Sequence, residues 1–160
     1  MDFSIQSARP QDVSHIFALI RSLAEYEKLT HLVSGNEAQL HEELFGARPV
    51  IECVLAWEGG QAAGFALFFH NFSTFLARRG LYLEDLFVVP QARGRGIGKA
   101  LMLHLARLAV ARGCGRFEWS VLDWNQPSIE FYQSLGAELL PDWRICRVTG
   151  EALARLGRSA

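Results

Sequence analysis

The sequence predicts a single domain of the α+β class over residues 1–160. Two helical segments come early, and apolar strand-like runs then follow one another with short turns between them, which is typical of antiparallel pairing. A third helical segment separates the fourth and fifth predicted strands, and strands joined by such a crossover helix are parallel. We therefore expect a mixed, mostly antiparallel sheet in which strands 4 and 5 are parallel.

Length and composition limit the function classes. Half of the 160 residues are hydrophobic and 21% are charged, which is enough apolar material for one substantial core. The formal net charge of −1 gives no reason to expect nucleic acid as the main partner. The N-terminus has no signal-peptide pattern, and no apolar run approaches the roughly 18 residues of a membrane span. We expect a cytoplasmic protein with no membrane partner.

The cysteines give no sign of a metal site. Cys53, Cys114 and Cys146 are odd in number and widely spaced, and no Cys-x-x-Cys pair occurs. Buried apolar thiols are the expected role, and no metal is expected.

The N-terminal part predicts one strand and two helices. Alternating apolar residues indicate a strand over residues 3–8, and helical spacing with a proline at the first position indicates a helix over residues 10–28. Ser34 and Glu37 have the spacing of a capping box and predict the start of a second helix, which ends before Gly46.

The middle of the chain predicts a hairpin, a loop, a strand and a helix. Two apolar runs at residues 50–57 and 62–70 are joined by a Gly-Gly turn, which is a strong hairpin signal. A loop should follow at residues 71–80, the fourth strand at 81–89 and the third helix at 97–112.

The C-terminal part predicts a fifth strand over residues 116–122 and then a short helix. Asn125 is suited to cap that helix and Gly136 to end it. A final strand is expected over residues 143–148, and either a short tail helix or a frayed end over residues 151–156.

The fourth strand runs into a glycine-rich turn that opens the third helix. Glycines recur at every second position and cations surround them: Arg93, Gly94, Arg95, Gly96, Ile97, Gly98 and Lys99. Backbone N–H groups at a helix N-terminus bind anions, and glycine permits both close phosphate approach and positive φ. A P-loop needs Ser or Thr after its lysine, but Ala100 stands there, and the dinucleotide motif needs a different glycine spacing.

The residues in two segments resemble a known family. The strand and turn at 83–89 and 93–98, together with Trp-Asn-Gln-Pro-Ser-Ile-Glu-Phe-Tyr at 124–132, are similar to the GNAT superfamily of N-acetyltransferases. Tyr-Glu at 26–27, Tyr-Leu-Glu-Asp at 82–85 and Trp-Arg at 143–144 further resemble the diamine (spermidine/spermine-type) acetyltransferase branch. The resemblance implies the GNAT fold, with strands 4 and 5 splayed and helices on both faces of the sheet.

The resemblance also implies the cosubstrate and the site. Acetyl-CoA would be held by the glycine-rich turn, by the backbone of the fourth strand and by two residues before the short helix: Leu86, Phe87, Val88, Arg93, Gly94, Arg95, Gly96, Ile97, Gly98, Lys99, Asn125 and Ser128. Tyr132 would be the general acid that protonates the leaving thiolate, and Glu84 a water-assisted base or a substrate ligand. Tyr26, Glu27, Glu84 and Asp85 would line an acidic acceptor pocket. Glu84 and Asp85 face opposite sides of a regular strand unless a bulge intervenes.

The expected reaction is acetyl transfer to a primary amine of a small polyamine-like or diamine-like substrate. The resemblance further implies a homodimer, in which the C-terminal strand could pair across subunits. Other acceptors remain open, among them amino-acid amines of the thialysine type and antibiotic amines of the aminoglycoside type. A CoA-binding module without catalysis is the alternative from another class.

Overall fold

The computed structural model describes residues 2–159 of the chain. It contains one five-stranded sheet in the order β1-β2-β3-β4-β5. The strands are β1 (Phe3–Ser7), β2 (Glu52–Glu58), β3 (Gln61–Ser73), β4 (Arg78–Val88) and β5 (Phe117–Trp119). The α-helices are α1 (Val13–Tyr26), α2 (Glu37–Phe45), α3 (Ile97–Ala111), α4 (Gln126–Ser134) and α5 (Gly150–Arg158).

The sheet has the predicted mixed topology. Strands β1 to β4 pair antiparallel in sequence order, and β5 pairs parallel to β4 after the crossover through α3. The chain divides into two compact units, one ending at Ser120 and one beginning at Val121. The first unit contains the whole sheet with α1, α2 and α3, and the second contains α4 and α5.

Helices cover both faces of the sheet in the first unit. One core cluster joins α1 and α2 to the sheet through Val13, Ile16, Leu19, Leu44, Cys53, Leu55, Phe65, Leu67 and Phe87. Strand residues whose side chains point to the other face are also buried, among them Phe68, Leu81 and Leu83. Helix α3 packs against β3 and β4, and its residues Ile97, Leu101 and Leu105 are fully buried. Because side chains alternate between the faces of a strand, α3 lies on the face opposite α1.

The hairpin of β3 and β4 is longer than predicted. Residues 71–80 were expected to form a loop, but Asn71, Phe72 and Ser73 pair with Gly80, Arg79 and Arg78, so only residues 74–77 connect the strands. Gly80, which indicated a loop, is a strand residue whose missing Cβ leaves room for the Asn71 side chain. The prediction of a ten-residue loop was therefore wrong.

Other boundaries also differ from prediction. Helix α2 is capped by Asn36, whose side-chain oxygen accepts the Gln39 backbone N–H at 2.9 Å, and not by Ser34. Helix α1 ends at Tyr26, two residues earlier than expected. Strand β5 is confined to Phe117–Trp119, because its pairing with β4 ends there.

The predicted final strand at residues 143–148 is wrong. The segment alternates apolar side chains as a strand would, but Trp143 and Ile145 are 79% and 72% exposed. A strand needs a hydrogen-bonding neighbour, and within residues 2–159 none of the five sheet strands pairs with this segment. Of the two expectations for the residues that follow, the tail helix is present as α5.

Candidate functional site

The turn between β4 and α3 has the geometry of an anion site. After a 3-10 turn at Pro90–Ala92, Gly94 and Gly96 adopt φ of +78° and +84°, and α3 begins at Ile97. A Cβ placed on either glycine would meet no heavy atom within 4 Å among the described residues. Glycine is therefore favoured here by the positive φ, since there is room for a larger side chain. No side chain of the described part caps α3. The N–H groups of its first turn therefore point out of the helix end towards open space, where an anion is favoured.

The three basic side chains of this turn, Arg93, Arg95 and Lys99, differ in the contacts that they make. The Arg95 guanidinium lies 2.7 Å from the Glu58 carboxylate and donates to the Gln91 carbonyl at 2.8 Å. The Arg93 Nε–H donates to the Val88 carbonyl at 2.9 Å. Lys99 is exposed in the first turn of α3. The positive charge predicted around the turn is present, but the structure ties both guanidiniums to the protein.

One edge of β4 leaves the sheet pairing next to this turn. The parallel pairing with β5 ends at Leu83 and Trp119, so residues 84–88 have no strand on that side among the described residues. Val89 N–H donates to the Ala63 carbonyl on the β3 side, and alternation turns the polar groups of Leu86 and Val88 towards the other edge. This is the splay expected of strands 4 and 5. It leaves this edge without a neighbouring strand beside the glycine turn, although the Val88 carbonyl accepts the Arg93 Nε–H.

A β-bulge in β4 rearranges the two predicted acidic residues. Leu67 pairs with Asp85 and Phe68 pairs with Leu83, which leaves Glu84 as an extra residue without a partner on β3. The bulge resets the alternation, so Asp85 shares the face of Leu67, which is the face covered by α1. Glu84 is exposed on the bulge itself. The bulge therefore removes the strict alternation that would place the two carboxylates on opposite faces of the sheet.

The acidic residues predicted for the acceptor pocket act on one another electrostatically. Burial, together with the nearby charges of Glu84 and Glu27, raises the pKa of Asp85 to about 7. Partial burial also raises the pKa of Glu27, which follows the last residue of α1, Tyr26. Carboxyl groups that lie close together and are partly buried ionise less readily than isolated ones. A cation that binds between them offsets their repulsion and is itself stabilised.

In the second unit, Asn125 and Ser128 begin α4 as predicted. The Asn125 side-chain oxygen accepts the Ser128 backbone N–H at 3.4 Å, so Asn125 caps the helix. Tyr132 is partly buried, and its ring centroid lies 5.4 Å from that of Phe131. Gly136, at φ +95°, ends the helix with the N–H of Ala137 on the Tyr132 carbonyl.

Sequence reasoning missed one group of contacts in the first unit. The Arg93 guanidinium carbon lies 5.0 Å from the centroid of the Tyr26 ring and 5.4 Å from that of Phe87. No local spacing signals a contact between residues so far apart in the chain, since only the fold brings α1, β4 and the turn together.

Residues 2–159 contain neither a candidate metal site nor a helix that could span a membrane. Their His, Cys, Asp and Glu side chains form no group of three that could hold a metal ion. Their helices are all too short or too polar to cross a bilayer.

Comparisons with known proteins agree with this geometry. The Acetyltransferase (GNAT) family matches residues 16–137. Thialysine N-epsilon-acetyltransferase of Mus musculus is 37% identical over 95% of this chain and 95% of that protein. L-ornithine N5-acetyltransferase of Arabidopsis thaliana is 33% identical over 96% of this chain and 87% of that protein.

Among solved structures, an integron cassette protein from the mobile metagenome of V. cholerae superposes with a TM-score of 0.82, at 28% identity and over 99% of both chains. The family match covers most of the chain and includes the β4 edge, the glycine turn and α4. The chain therefore belongs to the GNAT family of acetyltransferases and is an acetyl-CoA-dependent N-acetyltransferase.

Proposed function

We propose that this enzyme transfers the acetyl group of acetyl-CoA directly to a primary amine of a small diamine-like or polyamine-like cation. The observation that carries the proposal is the group of acidic residues around Asp85 on the α1 face, where burial and the charges of Glu84 and Glu27 raise the pKa of Asp85 to about 7. An alkylammonium ion placed there would relieve the mutual repulsion of the carboxylates. The family match spans both compact units, which supports treating residues 1–160 as one catalytic domain.

The proposed acetyl-CoA site uses the backbone more than side chains. The diphosphate would bind the N–H groups of residues 94–99, because no described atom lies within 4 Å of a Cβ at Gly94 or Gly96, while the Arg93 N–H donates to the Pro90 carbonyl at 3.3 Å. The pantetheine arm would extend β4 along its free edge from Leu86 through Phe87 to Val88. Asn125 and Ser128 would bond the arm from the start of α4, in addition to the capping contact between them.

The amine must lose a proton before it can attack the thioester. An alkylammonium with a pKa near 10.4 is neutral only about once in 2,500 molecules at pH 7, which corresponds to roughly 4–5 kcal/mol. Glu84, exposed on the bulge, would accept that proton through water or hold the ammonium, while Asp85, Glu27 and Tyr26 line the pocket. Tyr132 would protonate the leaving thiolate, because a phenol of pKa near 10 is a suitable donor to it.

A second acceptor class is favoured by the relatives. The curated proteins that match 95–96% of this chain are named for thialysine and ornithine, amino acids that carry an additional amine on the side chain. An acidic pocket suits the side-chain ammonium of such a compound as well as it suits a diamine. We therefore propose diamino acids as the alternative acceptors.

We also propose a cytoplasmic homodimer. Its support is the row of exposed apolar side chains in the C-terminal segment, Leu139, Leu140, Trp143, Ile145 and Val148, which would lose contact with water in a dimer.

A thiol-release assay with acetyl-CoA tests the reaction and the acceptor together. The panel is spermidine, a short diamine, thialysine, ornithine, lysine and an aminoglycoside. We expect CoA release with at least one small diamine or diamino acid and none with a monoamine of similar size. Binding of acetyl-CoA without release in the presence of any amine would identify a CoA-binding module and contradict the proposal.

A further inference from the structure

We propose that Arg93 is a positioning residue for the acceptor amine, because its side chain fixes the end of α1 against β4 and so sets the place of Tyr26 and Glu27. This inference rests on the proposed function and adds a role that the diphosphate site does not require.

The contacts of Arg93 point towards the acceptor side of the enzyme. Its Nε–H donates to the Val88 carbonyl at 2.9 Å, and its guanidinium carbon lies 5.0 Å from the centroid of Tyr26 and 5.4 Å from that of Phe87. Tyr26 is the last residue of α1, and Phe87 belongs to the core on the α1 face. One side chain therefore links a helix end to a strand through a hydrogen bond and two aromatic contacts.

The last turns of α1 are packed less tightly than its first turns. The buried residues of the helix, Val13, Ile16, Phe17 and Leu19, all lie in its first half. In the second half, Ile20 and Leu23 pack against the core but are only partly buried, and Tyr26 is 37% exposed. The contact with Arg93 therefore adds to the packing that positions the last turn.

The charge of Arg93 also suits this place. The carbonyl end of a helix carries a partial negative charge, and a cation beside the last turn stabilises it. A planar guanidinium can stack on a ring and donate from Nε at the same time, which the ammonium of lysine cannot do. Loss of this link should let Tyr26 and Glu27 move relative to Asp85, whose pKa the charge of Glu27 raises.

A double-mutant cycle tests the inference, with the amine that the wild-type enzyme acetylates best. The variants are Tyr26→Leu, Arg93→Lys, Arg93→Gln and the double variant Tyr26→Leu/Arg93→Gln. We expect Tyr26→Leu to raise the KM for the amine about 3- to 10-fold, with the Kd for acetyl-CoA within about 2-fold of wild type. Arg93→Lys should rescue Arg93→Gln only in part.

The double variant gives the decisive comparison. Its KM for the amine should not exceed that of the worse single variant, because both changes break one contact. The inference would be overturned if the increase in KM for the amine in the double variant equalled the product of the two single increases. An unchanged KM in Tyr26→Leu would also overturn it. The matched control is Arg21→Gln, which removes a guanidinium 4.8 Å from the Phe17 ring on the same helix and should leave the KM for the amine unchanged.

Hydrogen exchange gives a readout that does not depend on activity. The amides of Glu27 and Leu29, which bond the carbonyls of Leu23 and Ala24, should exchange faster in Arg93→Gln and not in Arg21→Gln. Unchanged exchange at these amides would overturn the inference even if no amine proved to be a substrate. If wild type releases no CoA with any amine, the proposed function fails on that result alone.

Discussion

Asp85 lies where burial and neighbouring carboxylates make the ionised form of its side chain unfavourable. The β4 bulge turns it to the α1 face with Leu67 and Phe87, and burial together with Glu84 and Glu27 raises its pKa to about 7. An unfolded aspartate titrates near 3.9, so the folded protein binds more protons than the unfolded chain between these values. Folding stability contributed by protonated Asp85 is therefore complete below about pH 4 and is lost as the pH rises towards 7.

Asp85→Asn should remove this pH dependence, because asparagine does not titrate. Its free energy of unfolding minus that of wild type should increase between about pH 4 and pH 7, by on the order of 2 kcal/mol, and stay level above pH 8. Urea unfolding of both proteins at several pH values measures this difference in the free energy of unfolding. A difference that does not change with pH would show that Asp85 is not held in its neutral form.

Tyr132→Phe removes only the phenol oxygen. If Tyr132 protonates the departing thiolate, turnover should fall about 100-fold or more, while the Kd for acetyl-CoA should change little. Stopped-flow or steady-state thiol release measures turnover, and calorimetry measures the Kd. Tyr82→Phe is the matched control, since the Tyr82 phenol bonds the Ser120 hydroxyl at 2.9 Å outside the proposed site. Equal turnover in wild type and Tyr132→Phe would remove the acid role.

At the scale of single residues, the sequence could indicate the acidic residues but not their placement. The family resemblance predicted Glu84, Asp85 and Glu27 as residues of the acceptor pocket. The bulge that places Asp85 on the α1 face is a property of the pairing between β3 and β4, and no local pattern in β4 encodes it. The same holds for Arg93, whose partners Tyr26 and Val88 come from other elements.

At the scale of elements, periodicity predicted the helices and strands that bury a regular apolar face. Helix α3 begins at the expected residue, because its apolar stripe and the preceding glycines agree. The predicted strand at residues 143–148 failed because alternation describes a strand's side chains and not the neighbour that must bond its backbone. The length of the hairpin of β3 and β4 was underestimated, because Gly80 is not part of a turn. It is a strand residue whose missing Cβ leaves room for a neighbouring side chain.

The cap of α2 offers an element-scale test. Asn36 and Gln39 bond each other's backbone N–H groups at 2.9 Å and 3.0 Å, so Asn36→Ala should lower the free energy of unfolding by about 1 kcal/mol. Ser34→Ala, at the position that the sequence favoured, is the control and should cost far less. Denaturant unfolding of both variants measures the difference. Equal losses would mean that Asn36 is not the dominant cap.

At the scale of the whole molecule, the exposed C-terminal segment bears on assembly. Trp143 and Ile145 are mostly exposed, and large exposed apolar groups commonly mark interfaces. We expect light scattering after size exclusion to give twice the chain mass of 17.9 kDa for the wild type, and a lower mass for Trp143→Ser/Ile145→Ser. A wild-type protein that stays monomeric at high concentration would contradict the proposed homodimer.

The central claim is that the backbone of the turn between β4 and α3 binds the diphosphate of acetyl-CoA. Calorimetric titration of acetyl-CoA into wild type, Gly96→Val and Gly113→Val tests it most directly. Gly113, at φ +71° beyond the other end of α3, has the same open surroundings as Gly96 at φ +84°, so both variants carry a similar conformational cost. We predict that Gly96→Val loses acetyl-CoA binding at least 100-fold while Gly113→Val binds like wild type. Equal affinity in wild type and a folded Gly96→Val would contradict the account.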